Sequence, residues 1–356
     1  MYRRKVICCV LVFILLMTVF TACKKAEDTS GDADVVPTAE AVTPTPTVEA
    51  TPEPTPTTSA FVCTLTNIGI EDEFTSRLRP IAVMIDNQAA ARPQSGISKA
   101  EIVYEFPVEG KITRYLAIFH HNEADKIGPV RSARPYFIDE AMEYNAVYVH
   151  CGGSEQALSD IDSLKVDALN DLNGDPCFWR SKDRSAPHNL YTSTKLMREV
   201  IATKKKENSP APQYFSFNNE FTGLDGKAVK GISIRYDKNY VPSFEYDESN
   251  KLFYRMINGK NDIDKETGEK ISTVNIIVEM VGVKVLDDVG RLEVSNIGKG
   301  RGYYMTGGKL IEVEWSKSSR KSKTVYKDLK GNEIKLNTGN TWIQIVPNYA
   351  TIEIKE

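Results

Sequence analysis

The longest apolar run in the chain, Val6 to Phe20, lies between Arg3-Arg4-Lys5 and the fully polar Lys24-Lys25-Ala26-Glu27-Asp28. A helix needs about 20 apolar residues to cross a ~30 Å hydrocarbon core, so this shorter run behind a basic start predicts a cleaved export signal. It closes on Phe20-Thr21-Ala22-Cys23, small residues before a cysteine. That ending predicts removal of residues 1–22 and acylation of Cys23 by palmitate and related chains. Each buried CH₂ contributes about 0.8 kcal/mol, so two or more chains hold a protein firmly on a bilayer. The predicted location is the cell membrane, lipid-anchored on its extracytoplasmic face.

From residue 23 to 60 the apolar pattern disappears. Thr-Pro-Thr-Pro-Thr and Thr-Pro-Glu-Pro-Thr-Pro-Thr-Thr dominate, with no aromatic residue between Cys23 and Phe61. No core can form from such a composition, and its prolines favour an extended spacer of about 3.1 Å per residue. These residues read as a disordered stalk.

Periodicity returns at residue 61 and changes character near Lys204-Lys-Lys-Glu-Asn-Ser-Pro-Ala-Pro212. Before it, Ile81–Asp86, Glu101–Phe106, Arg114–His120 and Ala146–His150 read as strands. Helices are predicted around Phe137, Ala141 and Tyr144, capped by Ser132 with Pro135 in the first turn, from Ser154 to Ile161, and from Thr192 or Ser193 to Ile201. Beyond it, strands are predicted at 232–236, 244–246, 252–255, 274–279, 302–305, 309–315 and 341–346, separated by turn residues. The chain is therefore expected to hold an N-terminal α/β or α+β domain, residues 61–205, and a β-rich C-terminal domain, residues 206–356, built as an antiparallel sheet or small barrel. Asp262, Asp264, Glu266 and Gly268 only superficially suggest a calcium loop, because the closing bidentate Glu is missing; a solvated hairpin loop is the expectation.

Charge narrows the partners. The start carries three positive charges and the stalk seven acids against two lysines, so of the chain's net −3 about −1 falls to residues 61–356. A nearly neutral folded part argues against nucleic acid. Beyond the signal and Cys23, three cysteines remain, Cys63, Cys151 and Cys177. An oxidising location permits a Cys151–Cys177 disulfide, and buried thiols are equally open.

Val83-Met-Ile-Asp-Asn87, Arg92-Pro-Gln-Ser-Gly96, Ile127-Gly-Pro-Val-Arg-Ser-Ala-Arg-Pro135, Tyr148-Val-His-Cys-Gly-Gly-Ser154, Ala186-Pro-His-Asn-Leu-Tyr-Thr-Ser193 and Asn340-Thr-Trp-Ile-Gln-Ile-Val-Pro347 stand in this order along the chain. Together they resemble the YerB-like family of bacterial lipoproteins, from about residue 65 to the end. The resemblance implies the two-domain layout and the lipoprotein habit and assigns no activity. The chain departs from the family at Cys151, where the family carries another small residue.

The densest polar set is Arg131 and Arg134, then His150 beside Gly152, Gly153 and Ser154, then Arg180, Asp183, Arg184 and His188. If the local sheet is parallel, these loops lie beyond the carboxyl ends of strands, where ligands tend to bind. A Gly-Gly-Ser turn opening a helix offers free N–H groups, and arginines grip carboxylate or phosphate bidentately. The expectation is an anion-recognising cleft using Arg131, Arg134, His150, Gly152, Gly153, Ser154, Asp183, Arg184 and His188. The competing reading makes the glycines a tight turn and the arginines staples on backbone carbonyls.

A zinc site from His120 or His121, His150 and His188 with Asp86 or Asp183 lacks any paired-histidine motif, so no metal and no cofactor is expected. A Cys151–His150 dyad is disfavoured because adjacent strand residues face opposite ways. The sequence leans away from an enzyme. It predicts a ligand- or partner-binding lipoprotein of the cell envelope, held to the membrane through Cys23, with a cell-wall or other anionic ligand. A hydrolase of an envelope polymer or peptide is the alternative, and a structural adaptor the second.

Overall fold

The computed structural model describes residues 59–204 and 214–356. The predicted signal, Cys23, nearly all of the stalk and the 205/206 boundary lie outside the described residues.

Ile81–Asp86 (β1), Ile102–Val108 (β2) and Ile112–Phe119 (β3) are almost wholly buried, and β3 lies antiparallel between the other two. Pro135–Glu143 (α1), Val147–His150 (β4), Glu155–Ser163 (α2) and Ala168–Asn170 (β5) follow. β4 runs parallel to β1, and β5 parallel to β4. Helix α1 is not capped by Ser132. Its N-cap is Arg134 with no side-chain cap, and Pro135 opens the first turn, where its fixed φ suits the helix and no N–H is lost. Asn145, at φ +49, ends it, and Ala146 N–H donates back to the Ala141 carbonyl at 2.9 Å. Ser154 caps α2 and Ser193 caps Thr194–Thr203 (α3), as their sequences predict.

The second half contributes Lys227–Ala228 (β6), Gly231–Arg235 (β7), Pro242–Asp247 (β8), Leu252–Ile257 (β9), Lys260–Asn261 (β10) and Ser272–Thr273 (β11). Then come Asn275–Val281 (β12), Gly298–Thr306 (β13), Lys309–Lys317 (β14), Val325–Asp328 (β15), Thr341–Pro347 (β16) and Thr351–Lys355 (β17). Strands β10-β9-β8-β7-β17, with β11 on β9, form a six-stranded sheet whose pairings are antiparallel.

The remaining strands extend the sheet of the first half, in the order β6-β14-β13-β12-β16-β2-β3-β1-β4-β5 with β15 on β14, eleven strands in all. The junction is parallel on both sides of β16. The antiparallel sheet expected of the C-terminal half is present in the six-stranded sheet, and strands β6 and β12 to β16 of that half join the sheet of the first. The physical reason lies in β16, Thr-Trp-Ile-Gln-Ile-Val-Pro, buried at every position as an interior strand covered on both faces must be.

Alternation along the strands divides the core in two. Ala82 and Met84 of β1 join Tyr104, Phe106, Leu116, Ile343 and Ile345 on one face, under Phe137 and Ala141 of α1. Ile81, Val83 and Ile85 join Tyr115, Phe119 and Trp342 on the other, under Met197 and Ile201 of α3 and Phe244 and Phe253 of the six-stranded sheet.

Each face carries a buried ionic cluster joining the two halves of the chain. On one, Arg255 Nη2 meets Glu105 Oε2 at 2.8 Å with both side chains fully buried, and Arg255 also pairs with Asp262 and lies 4.6 Å over the Trp342 ring. On the other, Lys317 pairs with Glu140 at 3.4 Å and with Glu143 of α1. The segment expected as a solvated loop is therefore anchored. Asp262 holds Arg255, and Asp264, fully buried, accepts from Ser98 N–H and Oγ–H at 3.0 Å each.

Candidate anion-binding site

β1 and β4 end side by side in Asp86 and His150, and the segment Ile127–Arg131 threads past these ends. Arg131 N–H donates to the Met84 carbonyl at 2.9 Å, and Cys151 N–H donates to the Arg131 carbonyl at 3.0 Å. On its outer side Val130 N–H reaches the Leu190 carbonyl at 2.7 Å, which brings in the loop carrying His188. Gly128 makes this threading possible: its φ is +144, and a Cβ there would stand 2.8 Å from the Leu190 oxygen.

At the centre is the Asp86 carboxylate, 1% exposed. Its Oδ1 accepts from Gln88 N–H at 2.9 Å, and its Oδ2 lies 2.7 Å from His188 Nδ1 and 3.0 Å from Arg131 Nε. The Arg131 contact has ion-pair distance but lacks hydrogen-bond alignment, and among the described residues no group accepts from Arg131. Arg114, opposite Asp86 in the β1–β3 register, is buried; Nη1 donates to the Ser132 carbonyl at 2.8 Å and Nε has no hydrogen-bond partner among the described residues. Burial draws the Arg114 guanidinium below its ordinary value, Tyr136 opposes this, and Arg131 adds to it. The Tyr148 hydroxyl is likewise buried and unpartnered among the described residues.

Of the residues predicted for the cleft, the structure brings Arg131 and His188 together. Arg134 is held by Glu109, with Nε at 3.1 Å from Oε2, and donates to the Ala133 carbonyl. Arg184 is a staple, donating to the carbonyls of Ala91 and Pro93 at 2.8 and 2.6 Å and to the Tyr191 hydroxyl. Gly152 N–H is taken by Asn170 Oδ1 at 3.0 Å, and its carbonyl faces His150 Nδ1 at 2.8 Å. Gly153 bridges to Ala133, and Ser154 Oγ accepts from Ala157 N–H. His150 is buried, which lowers its pKa, with the Gly152 carbonyl opposing. Asp183 is exposed, 3.8 and 3.7 Å from Lys126 and Lys265. For Arg184, Gly152 and Gly153 the turn-and-staple reading describes the geometry.

Arg114 is absent from the predicted cleft, and Asp86 enters the predicted chemistry only as a candidate zinc ligand beside His188. The available signal was a lone carboxylate closing the apolar run Ile-Ala-Val-Met-Ile. A separate cluster of Cys63, His120, His121 and Glu101 escaped prediction, because its cysteine and histidines are far apart in sequence. Burial opposes charge in both Cys63 and His121, yet contacts with His120 and then His121 draw Cys63 down to about 7, and contacts with Cys63 and Glu101 push His121 up to about 10. All three described cysteines are free thiols; Cys151 Sγ lies 3.5 Å from Asp171 Oδ2.

This chain belongs to a family of proteins of unknown function whose N- and C-terminal domains both match it. Residues 65–208 match the family model described as "Protein of unknown function (DUF3048) N-terminal domain", and residues 232–343 match its C-terminal counterpart. The chain is similar to a Bacillus subtilis (strain 168) protein named "Putative lipoprotein YerB", 33% identical over 303 residues, spanning 82% of this chain and 88% of that protein. Its fold matches the crystal structure of the YerB protein from Bacillus subtilis with a TM-score of 0.74 at 30% identity, covering 82% of this chain and 99% of that one. Among the described residues no helix is long and apolar enough to cross a membrane.

Proposed function

We propose that this protein is an extracytoplasmic lipoprotein, anchored through acylated Cys23, that recognises an anionic ligand of the cell envelope at Arg131 and His188. The observation that carries this reading is an imbalance of donors. Two guanidiniums, an imidazole and the Tyr148 hydroxyl gather near one carboxylate, and Arg114 Nε, Tyr148 OH and the Arg131 guanidinium lack hydrogen-bond acceptors among the described residues. Buried donors are normally satisfied, so an acceptor-rich carboxylate or phosphate fits such a place. Asp86 positions the Arg131 guanidinium and the His188 imidazole from one oxygen.

The test is a thermal-shift titration of the full chain in detergent with phosphorylated and carboxylated wall fragments. A saturable rise lost in Arg131→Ala and in His188→Ala is expected. The absence of any rise, or one that survives both substitutions, overturns the reading.

A hydrolase is the second reading, favoured by one contact. Asp86 on His188 Nδ1 at 2.7 Å is the arrangement that orients an imidazole for general-base work through Nε2. Turnover of a wall polymer or peptide, lost in His188→Ala, would select it.

A further inference from the structure

The cluster at the far end of β3 has the chemistry of a metal site. Cys63 Sγ lies 3.3 Å from His120 Nδ1, and the ligating atoms of Cys63, His120 and His121 all fall within 4.8 Å of one another. With Zn–S near 2.3 Å and Zn–N near 2.1 Å, tetrahedral geometry separates a sulfur and a nitrogen ligand by about 3.6 Å. The observed separation is already close to that.

Two further observations point to a ligand. Cys63 is fully buried and His120 only 2% exposed, so the thiol and the imidazole meet away from water. The fully buried Glu101 fixes the backbone that carries both imidazoles. Its Oε2 accepts from His120 N–H at 2.9 Å, and its Oε1 accepts from His121 N–H at 3.0 Å and Asn122 N–H at 2.9 Å. Oε1 also stands 2.9 Å from His121 Nδ1. A carboxylate behind a ligating histidine orients the ring and adds negative charge next to a cation, as in many zinc sites.

We propose that Cys63, His120 and His121 bind one Zn²⁺, with Glu101 as the positioning residue. Three protein ligands leave a fourth position for water or a further donor, and the His121 side, 14% exposed, is the open one. Thiolate with imidazole suits zinc better than calcium or magnesium, which prefer oxygen. The ion would clamp the first described residues onto the sheet: Cys63 follows Phe61–Val62, which pairs with Gly69–Ile70, whereas His120 follows β3.

The experiment uses the full chain in detergent, stripped with chelator and titrated with Co²⁺ and then Zn²⁺. Cobalt is expected to give a thiolate charge-transfer band with tetrahedral ligand-field absorption, displaced by one equivalent of Zn²⁺. Cys63→Ser is expected to abolish the band and Cys151→Ser to retain it. Glu101→Gln is expected to weaken zinc binding about 10–100-fold. Should Cys63→Ser fail to fold, the wild-type chain still decides, because zinc must then shield Cys63 from alkylation as read by peptide mass spectrometry. No thiolate band in the wild-type chain, a band that survives Cys63→Ser, or a Cys63 alkylated at the same rate with and without zinc overturns the proposal.

Discussion

Asp86 Oδ2 stands 2.7 Å from His188 Nδ1, joining the end of the first sheet strand to a loop that returns 102 residues later. The same oxygen faces Arg131, so one buried carboxylate holds both the guanidinium and the imidazole of the proposed site. Removing a buried partner leaves its counter-charges uncompensated and typically costs about 3–5 kcal/mol. Arg131 and His188 are partly exposed, so Asp86→Ala is expected near the lower end, with Asp86→Asn milder because it keeps an acceptor for Gln88 N–H. Urea midpoints of the two variants check this, and equal midpoints for Asp86→Ala and wild type contradict it.

Arg255 and Glu105 make a sharper case, since neither has any solvent to fall back on. Glu105 also accepts from Thr113 at 2.6 Å and from Gln344 at 2.7 Å, and burial, which would raise its pKa, is overridden by Arg255 and these hydrogen bonds, which lower it. Glu105→Ala is expected to destabilise the chain by about 3–5 kcal/mol, and Arg255→Met with Glu105→Ala together should cost less than the sum of the two single losses, although Asp262 then loses its partner as well. A double-mutant cycle in urea reads the difference. Additive losses would show that the pair is not coupled.

Local signals made much of the fold legible. Short apolar runs containing β-branched residues marked β1, β3 and β4, and Ser154 and Ser193 marked two helix starts as observed. The parallel insertion of β16 between β12 and β2 was not legible, because strand pairing across more than two hundred residues leaves no periodic trace. In the candidate site, Arg131 and His188 stood out by local density. That density could not distinguish them from Arg184 and Arg134, whose partners are carbonyls and a carboxylate supplied by distant loops. Glu140 and Glu143 lie on a helix and Lys317 at a strand end, where the sequence carries no sign of their burial. Only tertiary packing places them in the core.

Gly128→Ala tests whether the threaded segment positions the site. A Cβ at φ +144 is disfavoured by the backbone itself and would collide with the Leu190 oxygen at 2.8 Å. The expected loss of stability is about 1–3 kcal/mol. Because Val130 and Leu190 connect the arms carrying Arg131 and His188, the thermal shift given by an anionic wall fragment should also weaken. A variant that keeps its full stability and its full ligand-induced shift contradicts the role assigned to this segment.

The Glu140–Glu143–Glu279–Lys317 cluster makes stability depend on pH in a direction opposite to that of an ordinary surface carboxylate. Burial raises Glu279 to about 7, with Tyr326 Oη–H donating to its Oε1 at 2.6 Å and opposing the rise; burial also raises Glu140, against the pull of Lys317. A carboxyl whose folded value lies above its unfolded value near 4.5 favours the native state fully below pH 4.5, and this contribution is lost as pH rises through 7. For Glu279 alone it is on the order of 3 kcal/mol. Glu279→Gln carries no proton to lose, so its urea midpoint should fall less than that of wild type between pH 5 and 8 (assay range of about 3 units). Lys317→Met should act in the other sense, destabilising more at the upper end, where the glutamates ionise without their cation. If both variants retain the wild-type pH slope, the cluster does not govern stability in this range.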